Sequence, residues 1–192
     1  MHELRIHGRG GQGAVIASKV LAVSFFSEGY WVQSFPAFGV ERRGAPVAAF
    51  LRVDRTPLRL RCEVTRPDEV IVLDPTLMHA IDVTAGLARG GRVLINSDAP
   101  PEHFGRLLER FRVATVDATA IAARHGLGSR TQPIVNTAIL GAYAALSELV
   151  TLDAVCAAIA EEVPLHPDAN ERAARDAAAQ VRTAALLEVV HA

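Results

Sequence analysis

Glu3-Leu4-Arg5-Ile6-His7-Gly8-Arg9-Gly10-Gly11-Gln12-Gly13-Ala14 is the stretch on which the fold turns. From Glu3 to His7 the residues alternate, with Leu4 and Ile6 apolar, which is the period of a half-buried strand. A glycine cluster follows, and a helical pattern then runs over residues 12–27, with Ile16, Val20, Val23 and Phe26 at three- and four-residue steps and Gly29 as its stop. The order strand, glycine loop, helix opens an α/β sheet. In that setting Gly8, Gly10 and Gly13 satisfy G-x-G-x-x-G. Glycines let backbone N–H groups approach a ligand while the positive end of the helix attracts an anion, so Gly8, Arg9, Gly10, Gly11, Gln12 and Gly13 are the candidate cofactor-binding residues. The competing reading makes the same glycines a tight strand-to-helix turn and nothing more.

Outward from this unit, strands are predicted at 30–35, 47–53, 69–73, 92–96 and 112–117, with a short partner strand at 58–61 and a short helix at 101–110. The run Glu69-Val70-Ile71-Val72-Leu73 fits a strand buried on both faces of a parallel sheet. No strand is expected beyond Ala118, and helices are predicted over 133–149, 152–162 and 167–190. The expected architecture is α/β: a mostly parallel, Rossmann-like sheet flanked by helices, with a helical C-terminal segment. It forms one domain, with residues 1–130 as the sheet core and 131–192 as the helical part.

Composition narrows the function. The chain has 192 residues, half of them apolar, and 20 Lys+Arg against 21 Asp+Glu leave a net charge of -1. That balance lacks the basic face that nucleic acid requires. The longest charge-free stretch, 131–147, falls short of the roughly 20 apolar residues of a membrane span, and the first residues lack a signal peptide's apolar region. A cytoplasmic protein with no membrane or nucleic-acid partner is expected. Two cysteines, Cys62 and Cys156, read as free buried thiols and are too few for a four-ligand cluster. The seven histidines show no metal-like spacing, no serine stands in a G-x-S-x-G elbow, and no catalytic or metal-binding residue is assigned. His7 abuts the glycine loop and is the one histidine singled out. Asp74 and Asp117 stand at strand ends, where a crevice residue or an ordinary turn opener fits, the turn reading being preferred. A dinucleotide fold expects an acid at the end of its second strand, yet that strand ends Val32-Gln33-Ser34-Phe35, and Glu28 sits at the helix end instead. A free-standing NAD(P)- or nucleotide-binding protein is therefore the weaker alternative.

Seven of the ten aromatics fall between Phe25 and Phe50. Within that span Phe35-Pro36-Ala37-Phe38-Gly39-Val40-Glu41-Arg42-Arg43-Gly44-Ala45-Pro46 mixes rings with a charged triplet, a composition enriched in protein interfaces. Phe35, Phe38, Glu41, Arg42, Arg43, Gly44 and Pro46 are the candidate interface or coenzyme-side residues.

Taken together, I-H-G-R-G-G-Q-G at 6–13 and F-P-A-F-G-V-E-R-R-G-A-P-V at 35–47 closely resemble the gamma subunit of 2-oxoacid:ferredoxin oxidoreductases, the pyruvate and ketoisovalerate group. Asn136-Thr137-Ala138-Ile139-Leu140-Gly141 looks like the family's later helix. The indolepyruvate branch shares the glycine loop and is less similar in the second segment. The resemblance implies a subunit of an enzyme that decarboxylates a 2-oxoacid on thiamine diphosphate, passes electrons through iron–sulfur clusters to ferredoxin or a related acceptor, and releases acyl-CoA. Thiamine diphosphate, magnesium and [4Fe-4S] clusters are then expected on alpha-, beta- and delta-type partners, since this chain has no C-x-x-C and no thiamine motif. No cofactor is expected to bind tightly to this chain alone, and CoA is the candidate ligand of its glycine loop.

Overall fold

The computed structural model describes residues 1–37, 44–129 and 131–186. Its chain order is β1 (His2–Arg9), α1 (Ala14–Ser27), β2 (Trp31–Pro36), β3 (Pro46–Asp54), β4 (Glu69–Val72), β5 (Arg92–Asn96), α2 (Gly105–Leu108) and β6 (Arg112–Val116). There follow α3 (Ala118–Arg124), the two-residue strands β7 (Gly128–Ser129) and β8 (Gln132–Pro133), α4 (Asn136–Leu146), α5 (Leu152–Glu162), α6 (Pro167–Gln180) and β9 (Arg182–Ala184). Seven strands form one sheet in the order β2-β3-β1-β4-β5-β6-β9. Its centre, β1-β4-β5-β6, is parallel, whereas β3 pairs antiparallel with both β1 and β2, and β9 pairs antiparallel with β6.

The parallel strands are apolar on both faces because helices or turns cover both. Leu4, Ile6, Ile71, Leu94 and Val116 join a core with α1, α4, α5 and α6. Val70, Val72, Val93, Ile95 and Val113 join a smaller core with Leu77, Val83, Leu87, Leu108 and Phe111 on the other side. Helix α6 shows how little side chain a buried stripe needs: Asn170, Ala173, Ala174 and Ala177 are buried at three- and four-residue steps while its charges face outward. Small residues let α6 approach α4 closely at Gly141, where an added Cβ would overlap the backbone of Ala174. Local caps set the helix boundaries. Asp117 accepts from Ala120 N–H, Thr151 accepts from Ala154 N–H, and Gly29, at φ 82, ends α1 with its N–H on the Phe26 carbonyl.

Several expectations need correction. Residues 58–61 form no strand. The segment 101–110 is a 3-10 turn over Pro101–Phe104 followed by one turn of helix, α2. The last helix stops at Gln180, and strand does occur beyond Ala118, in the β7–β8 hairpin and in β9. Helix α3 was not foreseen, and α4 is shorter than 133–149. On α1 the anticipated stripe is only partly inward: Val20 is buried, yet Ile16 and Phe26 are exposed, and Ala14, Ala17, Leu21 and Phe25 face the core instead. A helix apolar on nearly every side has no periodicity to mark its inner face, and alanines fit closest to a sheet. Of the two thiols, Cys156 is buried and Cys62 is exposed.

Candidate functional site

Strand β1 delivers the glycine loop to the carboxyl end of the sheet. From there the chain leaves β1 toward the helix layer at α1, while β4 leaves toward the opposite face through the 3-10 turn Pro75–His79. Adjacent parallel strands whose connections diverge leave a crevice between them, the usual ligand position in open α/β sheets. A cleft of about 920 Å³ lies there, bounded by Arg9, Gly10, Gly11 and Gln12 on one side and by Asn96, Thr119, Ser129 and Thr131 on the other.

The loop is held by its own backbone and by β4. Gly10 N–H donates to Ala45 O and Gly44 N–H to Gly10 O, so Gly44 and Ala45 are bound to the glycine loop. Arg9 N–H donates to Gln12 Oε1 (2.7 Å), which folds the turn onto itself. The Arg9 side chain spreads over three segments: Nε to Asp74 Oδ2 (2.8 Å), Nη1 to Gly44 O (3.1 Å) and Nη2 to Thr76 Oγ1 (2.8 Å). Gln12 Nε2 also reaches Asp74 Oδ2, at 3.4 Å. Partial burial works against the charged form of Asp74, but the two bonds from Thr76 and the Arg9 guanidinium outweigh it and hold the carboxyl below its ordinary range. Gly11 and Gly13 adopt φ 94 and 77, conformations that favour glycine. Gly13 stands at the N-cap of α1 with no side chain capping the helix, so the first-turn N–H groups remain available to an anion.

Two sequence segments far apart meet here. Asn136 Nδ2 donates to Gly13 O (3.3 Å), and a Cβ on Gly13 would overlap the Asn136 amide. Asp74 and Asn136 thus belong to the site's framework, together with the β7–β8 hairpin and the Asn96–Thr119 pair that floor the cleft. The signal available for Asp74 was its position at a strand's carboxyl end. Asp117, by contrast, is the cap of α3, and Glu28 accepts from Thr151 N–H and Oγ1, joining α1 to α5. His7 points away from the cleft, to the face that carries Arg5. It is 6% exposed, and the Val83 backbone is the one hydrogen-bonding group beside its ring among the described residues.

Of the second group of candidates, Phe35 packs on Phe50 (5.3 Å between centroids) and lies under the Arg52 guanidinium, while Gly44 reaches the cleft and Pro46 begins β3. Phe38, Glu41, Arg42 and Arg43 lie outside the described residues. The β2 strand is not beside β1 but beyond β3, so the ribose position of a dinucleotide fold does not exist at this crevice. A second cleft, about 840 Å³, opens on the other face. It has an apolar floor of Met78, Ile81, Phe104 and Leu107 and groups of both signs at its rim, and none of the glycine-loop residues lines it. Among the described residues no group of three or more His, Cys, Asp or Glu side chains is arranged to hold a metal ion, and no helix is long and apolar enough to cross a membrane.

The chain is similar to known proteins over most of its length. Residues 3–180 match the family model described as pyruvate ferredoxin/flavodoxin oxidoreductase. The chain is 51% identical over 163 residues to the pyruvate/ketoisovalerate oxidoreductases common subunit gamma of Thermococcus kodakarensis, covering 84% of this chain and 86% of that protein. It is 46% identical over 159 residues to the pyruvate synthase subunit PorC of Methanosarcina barkeri, covering 83% and 85%. The crystal structure of the pyruvate oxidoreductase subunit PorC from Thermotoga maritima superposes with a TM-score of 0.77 at 34% identity, covering 95% of this chain and 98% of that one. Matched over most of its length by the family model and by these relatives, the chain belongs to the pyruvate ferredoxin/flavodoxin oxidoreductase family, as a gamma-type (PorC-like) subunit.

Proposed function

We propose that this chain works in the cytoplasm as the non-catalytic gamma subunit of a complex that converts a 2-oxoacid and CoA to acyl-CoA and CO2, the electrons leaving to ferredoxin or a related acceptor. Alpha-, beta- and delta-type partners carry thiamine diphosphate, magnesium and the [4Fe-4S] clusters. The residues of this chain do not fit those groups: its two cysteines cannot ligate a cluster, and no acidic or histidine cluster stands among the described residues. No step of the redox chemistry is therefore assigned to it.

The glycine loop does fit the diphosphate of CoA. The observation that carries this reading is the uncapped amino end of α1 opening, through Gly10, Gly11 and Gln12, on a cleft whose volume lies within the usual 300–1,000 Å³ range of ligand sites. Backbone N–H groups there would hold the diphosphate, and the neutral side chains of Asn96, Thr119, Ser129 and Thr131 would face the rest of the coenzyme. The loop carrying Phe35, Phe38, Glu41, Arg42, Arg43, Gly44 and Pro46 would pack against the partner subunits, its base tied to the glycine loop through Gly10 and Gly44.

Gln12→Glu tests the ligand. It keeps the acceptor for Arg9 N–H, gives up the long Nε2 contact to Asp74, and adds a negative charge at the mouth of the loop. In the reconstituted complex the Kd for CoA, measured by calorimetry, should rise about tenfold or more, the equivalent of about 1.4 kcal/mol, while the complex remains assembled. Equal affinity in wild-type and variant complexes would remove CoA from this loop.

A further inference from the structure

We propose that the outer edge of β2 receives an extended, uncharged strand from a partner subunit, which continues the sheet across the subunit boundary. This rests on the reading of the chain as one subunit of a complex. Strand β2 ends the sheet, with β3 on its inner side. Just past it, Ala37 N–H donates inward to Ala48 O, and in an antiparallel ladder the inward and outward residues alternate. Gln33 and Phe35 therefore bond to β3, while Val32 and Ser34 turn both N–H and C=O outward.

Natural sheets protect such edges with charge or brevity. The opposite edge, β9, does so: it has three residues and begins with the exposed Arg182. Strand β2 has six residues, Trp31-Val32-Gln33-Ser34-Phe35-Pro36, and carries no charge. A groove of about 410 Å³ runs along it, with Val32, Gln33, Ser34 and Phe35 on one wall and Leu60 and Arg61 on the other. Gln33 Oε1 is buried with no partner among the described residues. Leu60 on the groove's far wall is 44% exposed, and Trp31, which opens β2, is 54% exposed. A row of outward backbone groups without a partner among the described residues, beside an apolar side chain, is the setting of strand addition. A second copy of β2 fits less well, because each copy would bring its own Arg61 to the shared seam, where like charges oppose pairing.

Amide hydrogen exchange on the wild-type chain, alone and in the reconstituted complex, reads the edge directly. Exchange at Val32 and Ser34 should slow about tenfold or more on assembly. Ser34→Pro deletes an outward N–H together with the hydroxyl that meets Ser18 Oγ but no bond to β3, so the isolated chain should stay folded, with the melting temperature of Ser34→Ala, while its affinity for the partner subunits falls about tenfold or more. Ser34→Ala, which also loses the Ser18 Oγ–Ser34 Oγ contact, should assemble normally. Assembly with unchanged exchange at Val32 and Ser34 overturns the proposal. So does concentration-dependent protection in the isolated chain that Ser34→Pro abolishes, which would make the occupant a second copy. Failure of the wild-type chain to associate with any partner subunit would instead overturn the subunit reading on which the proposal rests.

Discussion

His7→Leu should flatten the acid limb of the stability profile by about 3 kcal/mol between pH 6.5 and 4. Burial, and next the nearby Arg5 charge, push the His7 imidazole down from 6.5 to about 4. Above pH 6.5 the ring is neutral in both folded and unfolded chains and contributes no pH dependence. As the pH falls below 6.5 the unfolded chain takes up a proton that the folded chain refuses, and stability drops until the folded value near 4 is passed. Leucine removes that proton linkage. It also loses the imidazole's contact with the Val83 backbone, so the test compares the slopes of the two profiles and not their values at pH 7. Glu69 also titrates on this limb. Burial opposes its charge, but the bonds and charges of His2 and Arg92 outweigh it and hold its carboxyl below the ordinary value, so its contribution too is lost in acid. Because Glu69 is present in both chains, it cancels in the difference. Urea midpoints at pH 7 and 4.5 decide the matter, and parallel profiles for the two proteins would refute the assignment to His7.

The second large effect lies between α4 and α6. Gly141→Ala should destabilise the protein by about 3 kcal/mol, since the new methyl group meets the backbone of Ala174 and not a flexible side-chain end. The two helices must separate, or α6 must shift along with the Thr137 Oγ1–Asn170 Oδ1 bond (2.6 Å) that pins it to α4. Gly105→Ala is the matched comparison. Gly105 is also helical, an added Cβ there meets nothing within 4 Å, and the same substitution should gain up to about 1 kcal/mol from helix propensity. Opposite signs in urea unfolding are the expected outcome. A loss at Gly141 no larger than the usual surface effect, about 0.5 kcal/mol, would show that the helices have slack.

Much of this was legible from local pattern. The Leu4–Ile6 alternation, the glycine loop, the apolar runs of β4, β5 and β6, and α5 between Thr151 and Pro164 all declare themselves over a few residues. Features made by pairing at long range do not. Nothing local in Val47 or Phe50 says that β3 lies antiparallel between β1 and β2, and nothing in Val181-Arg182-Thr183-Ala184 interrupts the helical composition before it, so β9 was hidden in a longer helix. Half of the site was visible for the same reason. The glycines carry their conformational demand in their identity, whereas Asp74, Asn136 and the hairpin after Leu127 become part of the cleft only when β4 and α4 are set beside β1. His7 shows the converse: it is adjacent to the loop in sequence but turned to the other side of the sheet, as strand alternation requires.

Strand β9 also bears on how the molecule is made. Its partner β6 is complete by Val116, yet the residues that cover that margin are synthesised only after α3, α4, α5 and α6. Throughout the interval a nascent chain displays an unpaired ladder to its surroundings. A polypeptide released early, anywhere before Arg182, keeps that ladder bare and offers chaperones and proteases a mark by which unfinished copies differ from finished ones.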